Sequence, residues 1–231
     1  MNEIIVSLTS YGNRLKLVTK TIYSILNGNS TPIHIVLTLF KSDLKNIPED
    51  LKLFIDIGLI EIIEAPINLK SHLKYFYVMQ KYSNHKIITI DDDIIYPKKF
   101  IDFLVENYNK DCIVGNRGHK LQKISKYEYS PFVKGQGHRF LALGAFGVLY
   151  PEKVFENYKP DIEEINKILH NDDVYLKLLA LRNNKQVKLL NKNLAYLMLD
   201  TKNDNLHTEN WKGRTQKEMN FFKEEFEKFK L

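Results

Sequence analysis

The chain reads as an α/β protein built on a mostly parallel sheet, and three observations predict it. Short apolar runs alternate with longer stretches whose apolar residues recur at helical spacing. A run that is apolar throughout belongs to a strand buried on both faces, the condition of a parallel sheet covered by helices. Polar turns and glycines mark the joints, and no internal repeat or low-complexity linker interrupts the alternation. One layered domain is expected, flanked by helices on both sides of the sheet.

The elements follow in order. Ile4 to Leu8 is a first strand, ended by the polar turn Thr9-Ser10-Tyr11-Gly12-Asn13, and Leu17/Val18, Ile22 and Ile25/Leu26 then keep helical spacing until Gly28. Ile33 to Phe40 is a second buried strand, Pro48 to Ile57 a short helix stopped by Gly58, and Leu59 to Ile63 a third strand. A helix carrying Leu73, Phe76 and Tyr77 on one face leads to the run Ile87 to Ile90. Beyond Pro97 come a helix with Ile101, Leu104 and Val105, strands near Cys112 to Gly115 and Gly147 to Tyr150, and a helix opened by Asn171-Asp172-Asp173. Residues 1–200 are expected to form the domain. Residues 201–231 are read as a polar segment followed by an amphipathic helix with Met219, Phe222, Phe226 and Phe229 in a stripe, docking on the same domain or on a second copy as a homodimer.

Composition narrows the class. With 231 residues, 44% hydrophobic and 27% charged, the chain is long enough for a sizeable core. No apolar run reaches the roughly 20 residues that span a bilayer, and no leader pattern precedes Ile4, so a cytoplasmic protein is expected. A single cysteine, Cys112, excludes an internal disulfide. The net charge of +6 suits anionic partners such as nucleotides, but a lysine-rich solvated surface accounts for it equally, and nucleic acid is not among the expected partners. The acidic residues of the terminal stripe also argue against insertion into anionic lipid, leaving at most a peripheral association with the inner membrane face.

The densest chemistry lies in KIITIDDDIIYP, residues 86–97. Three adjacent carboxylates repel one another and are costly to remove from water, yet Ile87, Ile88, Ile90, Ile94 and Ile95 place them at the end of a core strand. A divalent cation would resolve the conflict. Ligands of such sheets bind beyond the carboxyl ends of the strands, where Thr9 to Arg14 and Asp91 to Asp93 both fall, so the two loops are suited to hold a metal-bound nucleotide. Asp172 and Asp173 open a helix, where acidic residues also serve as caps. Between these segments, GNRGHK (115–120) and GQGHRFLALGAFG (135–147) supply glycines for close backbone approach, and Arg117, His119, His138 and Arg139 as cationic or hydrogen-bonding groups of an acceptor or lid loop.

VSLTSYGNRL, TIDDDIIYP, LGAFGVLYP and NDDVYLKLLAL occur in the order in which they occur in bacterial nucleotide-sugar glycosyltransferases of the GT-A fold, and the chain resembles that group, related to glycosyltransferase family 2, up to about residue 183. The resemblance implies a single Rossmann-like GT-A domain. It implies a metal-dependent, inverting hexosyltransferase that moves a sugar from a nucleoside-diphosphate donor, UDP by family habit, to the hydroxyl of a glycan or glycolipid acceptor in surface polysaccharide or lipooligosaccharide synthesis. By resemblance, Mn²⁺ or Mg²⁺ is held by Asp93 and Asp91, with His207 returning toward it. Thr9, Tyr11, Arg14, Lys74, Asp91, Asp92, Gly144 and Gly147 line the donor, and for Lys70 and His72 a solvated helix start is the expectation. Asp173, paired with Asp172 where many relatives carry Glu-Asp, matches the catalytic base. Two rivals stand beside this reading. A haloacid-dehalogenase-type phosphotransferase also places Asp-x-Asp after an apolar strand, but with its nucleophile on an early strand, and a non-catalytic nucleotide- or carbohydrate-binding module follows if the second acidic pair is only a cap.

Overall fold

The computed structural model describes residues 4–121, 132–201 and 215–229. Strand β1 (Ile4–Thr9) pairs in parallel with β2 (Ile33–Phe40) on one side and with β4 (Ile87–Thr89) on the other, and β3 (Ile60–Ala65) extends the parallel ladder beyond β2. Past β4 the order runs β10 (Val148–Tyr150), β6 (Cys112–Gly115), β11 (Gln186–Leu189) and β8 (Gly135–Gly137), giving eight strands. β6 and β11 are parallel, whereas β10 lies antiparallel between β4 and β6 and β8 is an antiparallel edge. Two small ribbons complete the strands: β5 (Ile94–Ile95) with β12 (Leu197–Met198), and β7 (Gly118–Lys120) with β9 (Phe140–Ala142).

The alternation along β1 explains why both faces are covered. Ile4, Val6 and Leu8 pack against Leu15, Val18, Ile22 and Ile25 of α1 (Leu15–Leu26), together with α2 (Glu49–Asp56) and α4 (Phe100–Glu106), while Ile5 points into the opposite core. That second core is built by α3 (Phe76–Lys81), α5 (Ile162–Lys167) and α6 (Asp172–Arg182), the last buried almost all round.

The terminal stripe does not form one helix. It breaks at Phe222 into α7 (Thr215–Phe221) and α8 (Lys223–Lys228). The turn lets Met219, Phe222 and Phe226 all reach the α6 side of the core, whereas Phe221 and Phe229 stay exposed. Arg182 of α6 fixes the arrangement with a fork onto Glu164 at 2.7 and 2.8 Å and a second onto Glu225. Among the described residues no helix is long and apolar enough to cross a membrane.

Candidate active site

Two cations from different loops meet the aspartates. β4 ends at the carboxyl edge of the sheet and delivers Asp91, Asp92 and Asp93 beside the loop that leaves β1. In that loop the 3-10 turn Gly12–Arg14 aims the Arg14 guanidinium back at the strand ends, where it forks onto Asp92 and reaches Asp93 Oδ2 at 2.9 Å. Burial works against its charge, but Asp92 and Asp93 more than restore it, so Arg14 stays protonated. Burial pushes Asp92 up to about 6 against the pull of Arg14. Asp92 is buried and engaged at both oxygens, and its own carbonyl accepts from Thr21 Oγ1 at 2.9 Å. Its side chain fastens the first loop to the sheet and is turned away from solvent, where the resemblance set it against the donor.

The second cation is Lys74, 3% exposed, at the end of a 3-10 turn over Lys70–Lys74 that Ser7 Oγ grips through the Lys74 carbonyl at 2.5 Å. Its Nζ lies 2.8 Å from Asp91 Oδ1 and 2.7 Å from Asp172 Oδ2. One ammonium thus joins the aspartate strand to the start of α6. Burial alone would lower the lysine, and the carboxylates raise it well above its ordinary value. Burial likewise works to raise Asp172, and Lys74 outweighs it and holds the carboxyl below the usual range.

The expectation of a solvated helix start fails at His72, which is fully buried. A carbonyl can only accept, so Nε2–H of His72 donates to Ile168 O at 3.0 Å and Nδ1 accepts from the Tyr75 hydroxyl at 2.6 Å. Burial pushes the imidazole down to about 4, and it stands neutral. His72 and Lys74 therefore clamp the approach to α6 from one turn.

At α6 the cap is Asn171, whose side chain accepts from Val174 N at 3.2 Å. Asp172 and Asp173 are first-turn residues, and neither is the cap. Asp173 Oδ1 accepts from the Gly144 N–H at 2.9 Å. Burial and then the charge of Asp172 push the Asp173 carboxyl upward. The adjacent acids are driven apart, one held charged by Lys74 and the other raised, the pattern by which a site divides ionic and proton-transfer roles between two carboxylates.

The turn Gly144–Phe146 completes the site. A Cβ on Gly144 would lie 2.8 Å from Lys74 Nζ and 3.0 Å from Asp173 Oδ1, so only glycine leaves room for both. Tyr96, absent from the sequence reading, ties this turn to the aspartates: its hydroxyl donates to Ala145 O at 3.0 Å and accepts from Asp91 N at 3.0 Å. Gly147 has another reason to be glycine. Its φ is +72° and a Cβ would strike the Phe100 ring at 2.2 Å, so the core alone already requires glycine there. Thr9 likewise spends its hydroxyl on Thr38 O at 2.8 Å, locking β1 to β2. Tyr11 is partly exposed with its ring centroid 5.4 Å from the Arg14 guanidinium carbon, and His207 lies outside the described residues.

Among the described residues no three His, Cys, Asp or Glu side chains converge to enclose an ion. The donor set nonetheless fits Mg²⁺ or Mn²⁺ bound together with a diphosphate. Asp91 and Asp93 are partly exposed hard-oxygen donors one residue apart, and such ions are commonly held by one or two carboxylates with phosphates and water filling the sphere. Charge favours it too, since two cations, Arg14 and Lys74, face five carboxylates.

No family model and no curated protein matches the sequence. Solved structures match the fold. The 4-diphosphocytidyl-2C-methyl-D-erythritol synthase of Anaerococcus prevotii superposes with a TM-score of 0.54 at 14% identity, covering 91% of this chain and 96% of that one. S. aureus TarS superposes at 0.59 with 12% identity over 87% of this chain, which spans only 37% of the TarS chain. TarS 1-349 in complex with UDP-GlcNAc superposes at 0.58 with 11% identity, over 90% of this chain and 61% of that one. Likeness at such identities establishes the fold, and the chain is a GT-A-like α/β domain with a mostly parallel central sheet flanked by helices.

Proposed function

We propose that the protein is an inverting hexosyltransferase that moves a sugar from a nucleoside-diphosphate donor, UDP-linked by preference, to the hydroxyl of a glycan or glycolipid acceptor of bacterial surface polysaccharide. The observation that carries the reading is the split acid pair beside the aspartate strand. Lys74 keeps Asp172 charged, while Asp173, bound through Gly144 N–H, is raised toward the range in which a carboxylate serves as a general base near neutral pH. UDP-GlcNAc bound to a structural neighbour of the same fold supports the donor class.

In this scheme Asp91 and Asp93 would hold Mn²⁺ or Mg²⁺, which supplies Lewis-acid stabilisation of the departing diphosphate. Arg14 keeps the loop carrying Asp92 and Asp93 in place and adds positive charge beside the phosphates. Asp173 takes the proton of the acceptor hydroxyl as its oxygen attacks the anomeric carbon from the side opposite the diphosphate. The near-complete mutual coverage with the erythritol synthase favours one alternative, nucleotidyl transfer from a nucleoside triphosphate.

A single assay separates the readings: incubation with UDP-GlcNAc, Mn²⁺ and a panel of acceptor sugars, against CTP with sugar phosphates. Transfer with inversion, seen by anomeric NMR coupling, is expected, and Asp173→Asn should lower turnover by 10²- to 10⁴-fold, on the order of what general base catalysis contributes, with donor affinity unchanged. Retained configuration removes Asp173 as base, and diphosphate release from CTP moves the chain to the other class.

A further inference from the structure

Arg117 stands apart from the carboxylate cluster and is held in an unusual way. It follows β6, and its guanidinium carbon lies 5.1 Å from the ring centroid of Phe132, 4.7 Å from that of Phe146 and 5.2 Å from that of Tyr196. The rings support one another, Phe146 meeting Phe132 at 5.5 Å and Tyr196 at 5.2 Å. Tyr196 is itself fixed by Asn116 Nδ2, which donates to its hydroxyl at 2.7 Å. Aromatic faces attract the guanidinium by cation–π interaction, but they satisfy none of its five N–H donors. Among the described residues no carboxylate pairs with Arg117. A half-buried guanidinium whose N–H groups have no hydrogen-bond partner among the described residues is suited to a bidentate oxyanion.

Its place in the site says which oxyanion. The Arg117 carbonyl accepts from Leu143 N at 3.0 Å, one residue before Gly144, and Phe146 closes the same turn. Gly144 N–H holds Asp173, and consecutive Cα atoms are 3.8 Å apart, so Phe146 lies within about 8 Å of Gly144 along the chain. Asp173 and Arg117 are thus both fastened to this one turn, Asp173 through Gly144 N–H and Arg117 through Leu143 N–H and the Phe146 ring. In the sugar-transfer reading the donor diphosphate belongs with Arg14, Asp91 and Asp93, which leaves Arg117 to the other substrate.

We infer that Arg117 binds an anionic substituent, a carboxylate or a phosphate, on the acceptor, so that the enzyme selects acidic over neutral acceptor glycans. The inference rests on the sugar-transfer reading for the word acceptor, but the anion site is testable without turnover. With the full chain saturated by UDP so that the donor site takes no phosphate, dissociation constants for glucuronate, glucose 6-phosphate and glucose are measured by saturation-transfer NMR at low salt. Both or either of the anionic sugars should bind about tenfold or more tighter than glucose, the usual worth of a charge-assisted pair of hydrogen bonds, and whichever binds tighter names the group. Arg117→Gln should erase the preference, and Arg117→Lys, which keeps the charge but not the fork, should retain part of it, with UDP affinity the same in all three proteins. A wild type with no preference, or a preference that survives Arg117→Gln, overturns the inference. If UDP fails to bind while the preference still depends on Arg117, the anion site stands and the sugar-transfer reading falls.

Discussion

Replacing Lys74 with methionine keeps the length and apolar stem of the side chain but deletes the charge that bridges Asp91 and Asp172. The cost follows from the geometry. Asp91 is partly exposed, so water screens the loss of its 2.8 Å contact and that half is discounted. Asp172 is buried, its contact is 2.7 Å, and removing one partner of such a pair leaves a buried charge without its counter-ion. The expected destabilisation at pH 7 is about 3–5 kcal/mol. Its pH dependence has a definite sign. Lys74 outweighs burial and holds the Asp172 carboxyl below its ordinary range. A depressed carboxylate adds stability above its unfolded pKa, about 3.9, and loses it as the pH falls through the folded value. Wild type therefore carries this stabilisation at pH 7 and sheds it in acid, whereas the variant never has it, so the gap between them narrows below about pH 4. Urea unfolding followed by far-UV circular dichroism at pH 7 and pH 3 measures both, provided the m value is unchanged. A gap under about 1 kcal/mol at pH 7, or one equally large at pH 3, refutes the claim that Lys74 is the counter-charge of a buried Asp172.

Three further outcomes are expected. Asp93→Asn keeps the shape but not the charge and should remove the Mn²⁺-dependent part of UDP affinity in calorimetry while leaving the melting temperature within a few degrees; unchanged affinity takes Asp93 off the metal. Gly144→Ala puts a methyl 2.8 Å from Lys74 Nζ, which two carboxylates pin, so Lys74 and Asp173 must both shift. A loss of about 1–3 kcal/mol in urea unfolding and of up to 10²-fold in turnover should follow, and a variant with wild-type turnover shows that the spacing is not critical. His72, buried and lowered from 6.5 to about 4, charges more readily in the unfolded chain, so its contribution is present at pH 7 and lost as the pH falls from 6.5 toward 4, by about 3 kcal/mol in all. His72→Gln should flatten that part of the stability–pH curve.

How far the molecule was legible depends on how local each feature is. The unbroken apolar runs read correctly as β1 and β2 to within a residue, because a strand buried on both faces needs no partner to be recognised. The strands β8 and β9 could not be read from GQG and FLA, since three residues carry no period and their pairing is set by β11 and β7. Tyr96 escaped for a similar reason: its hydroxyl bonds atoms five and forty-nine residues away. The acidic opening of α6 looked like a capping signal, yet the cap is Asn171, one residue earlier, a choice that backbone geometry makes and composition does not.

The triple aspartate shows the limit most clearly. Repulsion among its carboxylates requires compensation, and that requirement is readable from residues 91–93 alone; which groups compensate is not, because Arg14 lies 78 positions from Asp92 and Lys74 enters from a separate turn. The fold spends both cations within the cluster. Asp92 is neutralised outright to hold a loop, and Lys74 is divided between Asp91 and Asp172. What remains short of positive charge is the solvent-facing side of Asp91 and Asp93 and the whole of Asp173. The first deficit invites a divalent cation arriving with a diphosphate. The second, Asp173, is lifted by burial and then by the charge of Asp172, against the pull of Lys74, toward the range where it can accept a proton. A double-mutant cycle between Lys74→Met and Asp172→Asn, which removes the buried charge and its counter-ion together, should recover most of the stability that Lys74→Met loses alone.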